Sequence, residues 1–132
     1  MVSSEALPES GVIERPLAQD RRHPERVLVA ATEEIRGARP ALSRYRVLER
    51  GPRFALVEVS APRAFRHQVR AHLASIDHPI AGDALYGGPD APTLGRRHAL
   101  HASYVGWIGD ETLPGFTAED PLPEEMRGLI AG

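Results

Sequence analysis

The local patterns of this sequence predict an α+β fold: a mixed, largely antiparallel sheet with one main helix. Three observations lead there. Two strand-like runs, residues 41–50 and 53–60, flank Gly51-Pro52 as the arms of a hairpin. A helical period occurs once at length, with Val69, Leu73 and Ile76 at i, i+4 and i+7. Twelve Gly and twelve Pro in 132 residues favour turns and short elements over long helices.

The elements follow in order. Residues 1–25 read as a loosely structured lead-in, because Pro8, Gly11, Pro16 and Pro24 interrupt any period. Residues 26–31 are β-branched enough for a short strand. In the first hairpin arm Tyr45 and Val47 alternate with Arg44 and Arg46, as in a half-buried strand. The second arm, FALVEVS, is apolar on nearly both faces and suits a central strand. The helix is expected to start near Ala64 and to end before Pro79. Along it Arg63, His67 and Arg70 recur at i, i+4 and i+7, with Arg66 alongside, on a face apart from the apolar stripe. The glycine-rich loop 82–88 implies backbone that turns tightly or approaches a neighbour closely. Residues 98–107 return to strand-like alternation, and 121–130 open with Pro123 and acids suited to a helix first turn. One domain over 1–132 is expected, since the length supports one modest core.

Composition narrows the function classes. The chain has no cysteine, which excludes disulfides and thiolate metal sites. No apolar run approaches the roughly 18 residues of a membrane span. The start MVSSEALPES lacks the basic and apolar regions of a signal peptide, so a cytoplasmic protein is expected. A formal net charge of −2 does not by itself mark a nucleic-acid binder. Its distribution says more. All sixteen basic residues are Arg, and thirteen fall between Arg15 and Arg70. Glu111, Glu119, Asp120, Glu124 and Glu125 crowd the other end. A local positive face is therefore compatible with the overall acidity, and the guanidinium fork suits phosphate.

Few residues are placed for chemistry by spacing alone. His67 and His72 point to different faces of a helix, and His98 and His101 to opposite faces of a strand, so no metal site is expected. No Ser stands in a G-x-S-x-G turn. Asp83, after Gly82, reads as a loop carboxylate that caps backbone N–H groups or pairs with an arginine, in preference to a catalytic acid. The Arg63–Arg70 face either meets an RNA backbone, turns one arginine inward to hold a carboxylate ionised, or is simply solvated.

At His67 to Gly88, HQVRAHLASIDHPIAGDALYGG, the sequence resembles the RluA-type pseudouridine synthases, with their H-Q-I-R-V-H-L helix and H-P-I-x-G-D-x-x-Y-G loop. Gly11-Val12-Ile13 with Pro16-Leu17, residues 41–48, Leu100-His101-Ala102 and residues 121–126 are similar to further family segments in the same order. Two departures stand out. Phe65 occupies the place of the family's usual Arg in T-G-R-T, and nothing matches the H-R-L-D-x-x-T-S-G motif of the catalytic Asp or the K-x-Y-x-A strand motif. The resemblance implies the C-terminal part of a catalytic domain that isomerises uridine to pseudouridine in RNA, without metal or organic cofactor. It implies that Arg70 is the catalytic arginine, the partner of an Asp this chain does not contain. Arg70 is then exposed, re-paired with an internal acid such as Asp83, or completed by another chain. Arg63, Arg66, His67 and Gln68 are the expected RNA contacts. The chain is expected to be inactive alone, with tRNA or rRNA as partner. A separate chain supplying the catalytic half is an expected partner, and an unpaired sheet edge would favour a homodimer. An RNA-binding module without chemistry and a protein-interaction domain are the alternatives.

Overall fold

A computed structural model describes residues 1–30 and 37–131, the side chain of Trp107 excepted. Its centre is the expected hairpin. Strand β5 (Leu42–Arg50) and β6 (Phe54–Ser60) pair antiparallel around Gly51-Pro52, where the Gly51 N–H donates to the Phe54 carbonyl at 2.8 Å. The alternation holds along β5: Ser43 and Tyr45 are buried while Arg44 and Arg46 face out. A bulge between Val47 and Glu49 shifts the register near the turn.

Residues 1–25 depart from the expectation of a loose lead-in. They contribute β1 (Val2–Ser3), β2 (Ser10–Glu14) and β3 (Leu17–Gln19). Strand order in the main sheet is β1-β6-β5-β2, with every pair antiparallel. β3 pairs separately with β4 (Val27–Val29), and residue 31 of the strand expected at 26–31 lies outside the described residues. The prolines do break local periodicity, but β1 and β2 are stabilised by distant partners: Ser10–Glu14 lies along residues 42–46. Val2 bridges Ile80 and pairs with Ala55, so it is sealed inside the core.

The main helix α1 (Gln68–Ser75) is shorter than expected and starts later. Residues 63–67 are not helical, because the Gln68 side-chain Oε1 accepts from the Phe65 N–H at 3.0 Å and His67 takes a left-handed conformation, φ 56°. Arg63, His67 and Arg70 therefore do not share one helical face. The helix stops where Asp77 turns left-handed and the His78 N–H bonds back to the Leu73 carbonyl, just before Pro79. Val2, Phe54, Ala55, Leu73, Ile80 and Met126 meet in the principal core, the last from α2 (Glu124–Ala131), the expected final helix. A smaller cluster joins Leu17, Ala41 and Ala71 beneath Phe65 and Tyr86.

Between these parts lies β7 (Tyr104–Gly109) paired with β8 (Pro114–Glu119). Only the second part of the strand expected at 98–107 forms, and β8 has no counterpart in the sequence reading. Its Pro and Gly opening hides a strand whose whole length is exposed.

Candidate active site

The loop after α1 folds the chain back onto the helix. Gly82 has φ +80°, and a Cβ there would lie 2.8 Å from the Arg97 carbonyl, so only glycine fits without displacing backbone. Gly88 is equally confined, since its missing Cβ would overlap the Ile80 carbonyl. This tight turn delivers Asp83 to α1. Arg70 donates from Nε to Oδ2 and from Nη2 to Oδ1 of Asp83, each at 2.8 Å. The pair is bidentate and nearly dry: the Asp83 side chain is 1% exposed and that of Arg70 is 15%. Of the alternatives open for Arg70, pairing with Asp83 is the one the fold adopts. The carboxylate holds the Arg70 guanidinium charged, raising its pKa.

A third donor of Arg70, Nη1, reaches His67 Nε2 at 3.0 Å. An arginine only donates, so His67 accepts there and keeps its proton on Nδ1, which donates to the Tyr86 hydroxyl at 3.0 Å. That hydroxyl also accepts from the Val27 N–H at 2.8 Å, and the Arg70 guanidinium lies 5.1 Å from the Tyr86 ring centroid. Burial, then the charges of Arg70 and Arg66, lower the pKa of His67; burial and Arg70 do the same for His98 nearby. The left-handed His67 is strained backbone, maintained by these two side-chain bonds.

Behind α1 runs a second polar chain that sequence spacing did not reveal. Gln68 Nε2 donates to the Leu42 carbonyl and to Ser43 Oγ; Ser43 lies 2.7 Å from His72 Nδ1; His72 Nε2 lies 2.8 Å from the Arg15 carbonyl. A carbonyl can only accept, so His72 carries its proton on Nε2 and Ser43 donates to Nδ1. The Ser–His pair has the form of a nucleophile and base, yet Ser43 is 1% exposed and His72 fully buried. No substrate reaches it. Burial lowers the His72 pKa, consistent with a neutral ring. Gln68, expected among RNA contacts, is 1% exposed and spends its amide on this chain, so it positions α1 instead of meeting a ligand. An apolar start to the helix would have left Leu42 and Phe65 backbone groups unpaired, which is the physical reason for a glutamine there.

Arg63 and Arg66 are exposed, as an RNA contact requires. Arg66 donates to the Glu25 carbonyl at 2.9 Å and to Gln19, while the Arg63 guanidinium sits 5.7 Å from the Phe65 centroid. Among the described residues no group of three His, Asp or Glu is arranged to hold a metal ion.

No family profile matches the chain. Individual relatives do. It is 37% identical over 123 residues to an uncharacterized RNA pseudouridine synthase, YhcT, of Bacillus subtilis (strain 168), covering 92% of this chain and 38% of that protein. It is 34% identical over 131 residues to ribosomal large subunit pseudouridine synthase D of Nitrosomonas europaea, covering 94% of this chain and 37% of the relative. The chain thus spans under two fifths of the length of these relatives. Among solved structures, human RNA pseudouridylate synthase domain containing 1 shares the fold with a TM-score of 0.72 at 20% identity, over 91% of this chain and 51% of that one. The human domain containing 4 protein gives 0.66 at 23%, over 96% and 57%. With the H-Q-V-R helix and G-D-x-x-Y-G loop brought together in one ion pair, the chain is similar over nearly its whole length to RNA pseudouridine synthases.

Proposed function

We propose that this chain forms the arginine-bearing part of an RNA pseudouridine synthase and does not isomerise uridine by itself. The observation behind this reading is the state of Arg70. Three of its five N–H groups are engaged by Asp83 and His67, and its side chain retains a small exposed edge. The remaining donors suit a second carboxylate arriving from outside, whose ionised form and rotamer the guanidinium would maintain. Asp83 is a poor substitute nucleophile, since both its oxygens already accept from Arg70 and it has no exposed face.

Uridine isomerisation needs a nucleophile that can reach a base lifted out of its stack. In this reading that group comes from a segment carrying the H-R-L-D pattern, on a separate chain or a further stretch of polypeptide, and the RNA is a tRNA or rRNA in the cytoplasm. A partner has a place to join. Among the described residues, β6 beyond Ala55 has no strand on its outer side, since β1 pairs only with Phe54 and Ala55. Either the missing segment or a second copy of the chain would complete that edge. No cofactor is required.

The test is tritium release from RNA labelled at uridine C5. The chain alone should release none above background; turnover without another protein overturns the proposal. A second reading, RNA binding without chemistry, is favoured by the exposed Arg63 and Arg66. Under it Arg66→Glu weakens RNA affinity, and affinity falls steeply with salt.

A further inference from the structure

We propose that a cleft beside the Arg70 site binds single-stranded RNA, stacking one unpaired base on Phe65 and holding the flanking phosphates on Arg15, Arg39 and Arg63. The inference rests on the reading of the chain as part of an RNA-modifying enzyme, and it adds a specific subsite and a strandedness to it.

The cleft has a volume of about 580 Å³, within the usual range for a bound small group, and lies where residues 14–16, 39–42 and 62–65 converge. Its lining is unusual in charge. Three arginines face one acid, Glu14, and among the described residues none of the three pairs with a carboxylate. Arg15 is anchored instead by donating to the Ser75 carbonyl at 2.6 Å, a neutral acceptor. Arg39 and Arg63 each bring a guanidinium to 5.7 Å from the Phe65 ring centroid. An aromatic ring framed by guanidiniums that meet no carboxylate among the described residues is the combination that binds single strands: the ring stacks a base of any identity, and the cations track the backbone.

The same magnitudes say what happens on binding. A guanidinium over an exposed ring is held more weakly than a stacked base. An entering base therefore displaces one guanidinium from Phe65, and that arginine moves to the adjacent phosphate. Duplex RNA lacks a free base face and gains only the charge contacts. Location supports a role next to the reacting nucleotide. Phe65 and Tyr86 pack on the same small cluster of Leu17, Ala41 and Ala71, and Tyr86 lies beneath Arg70. Phe65 also stands where the family pattern has arginine, so this stacking surface belongs to this sequence.

The experiment is fluorescence anisotropy of the full chain with a short labelled oligouridine and with a duplex of equal length, across a salt series. Phe65→Leu keeps the apolar contact with the cluster but removes the ring. It should weaken single-strand binding about tenfold without changing the salt slope. Arg39→Gln with Arg63→Gln, both at exposed positions, should flatten the salt slope by roughly 1.4, about 0.7 per lost phosphate contact. Equal melting curves for all proteins establish that folding is intact. Unchanged affinity in Phe65→Leu, equal binding of duplex and single strand, or competition by an acidic peptide as effective as by RNA overturns the proposal. RNA binding that persists untouched in every cleft variant removes this subsite alone. Absence of RNA binding by the unaltered chain at low salt removes the broader RNA reading with it.

Discussion

The ion-paired end of α1 and the β7–β8 hairpin are opposites within one short chain. Around α1 the groups that need partners find them internally. Arg70 meets Asp83, His67 meets Tyr86, and Gln68, Ser43 and His72 form a closed relay; no buried side-chain N or O atom among the described residues lacks a hydrogen bond. The hairpin has the reverse character. Tyr104, Val105, Leu113 and Ile108 are exposed, Ile108 at 99%. Polar groups are buried in the first region, and apolar groups are left in solvent in the second. The lesson is that burial and hydrogen bonding close the site region on itself, whereas the hairpin leaves large apolar side chains in solvent.

That contrast can be broken most sharply at Asp83. Asp83→Ala leaves Arg70 charged and largely buried without its partner, at an expected cost of ~3–5 kcal/mol in urea unfolding. A loss below about 1 kcal/mol would mean that Arg70 swings to solvent, and the region would not be the closed network described. Ser43→Ala is the next test. It strands His72 Nδ1 and one Gln68 N–H, with an expected loss of ~1–3 kcal/mol.

A pH titration follows. His72 is lowered by burial, and His67 by burial with Arg70 and Arg66, so the fold prefers both rings neutral. Unfolded histidines take up protons near the ordinary value of about 6.5, so the histidine contribution is full above that pH. It declines as pH falls from there through the lowered folded values. The Met1 amino group, buried on the Ala99 carbonyl with a pKa of about 6, adds a loss of the same sign starting from its ordinary 8.0. NMR titration of individual histidine rings separates the contributions; His72 titrating at or above 6.5 would contradict the neutral relay. The smallest effect belongs to the hairpin. Ile108→Ser should change stability in urea unfolding by less than about 0.5 kcal/mol. A large destabilisation would show that Ile108 already has a structural partner.

Legibility in the sequence followed the range of the interactions. The β5–β6 hairpin was readable because Gly51-Pro52 and the alternation around Tyr45 are local signals. The final helix was readable from Pro123 and its first-turn acids. Strands β1 and β2 were not, because their partners lie dozens of residues away; β3 pairs with the nearby β4, but Pro16 and Pro24 around it read as breaks. The start of α1 was misplaced for a related reason. Charge spacing suggested a helix through Arg63 and His67, whereas one side-chain bond from Gln68 to the Phe65 backbone closes a turn there instead. Gln68 itself was misread as an RNA contact because polarity at a helix start does not reveal which way the amide faces.

The sequence by itself determined the α+β composition, the helix with its H-Q-V-R pattern, the tight Gly82-Asp83 turn and the family resemblance, since each resides in short-range order or residue identity. It also named Asp83 as an acid able to meet an arginine, while leaving three fates open for Arg70. Only the tertiary structure showed that Arg70 pairs with Asp83 inside this chain. It brought a loop residue thirteen positions away onto the helix with bidentate geometry. It also turned Gln68 and His72 inward, and it gathered Arg15, Arg39 and Arg63 around Phe65. The physical reason is that direction, burial and desolvation belong to the packed chain: they depend on which surfaces meet, and no periodicity within one segment encodes that.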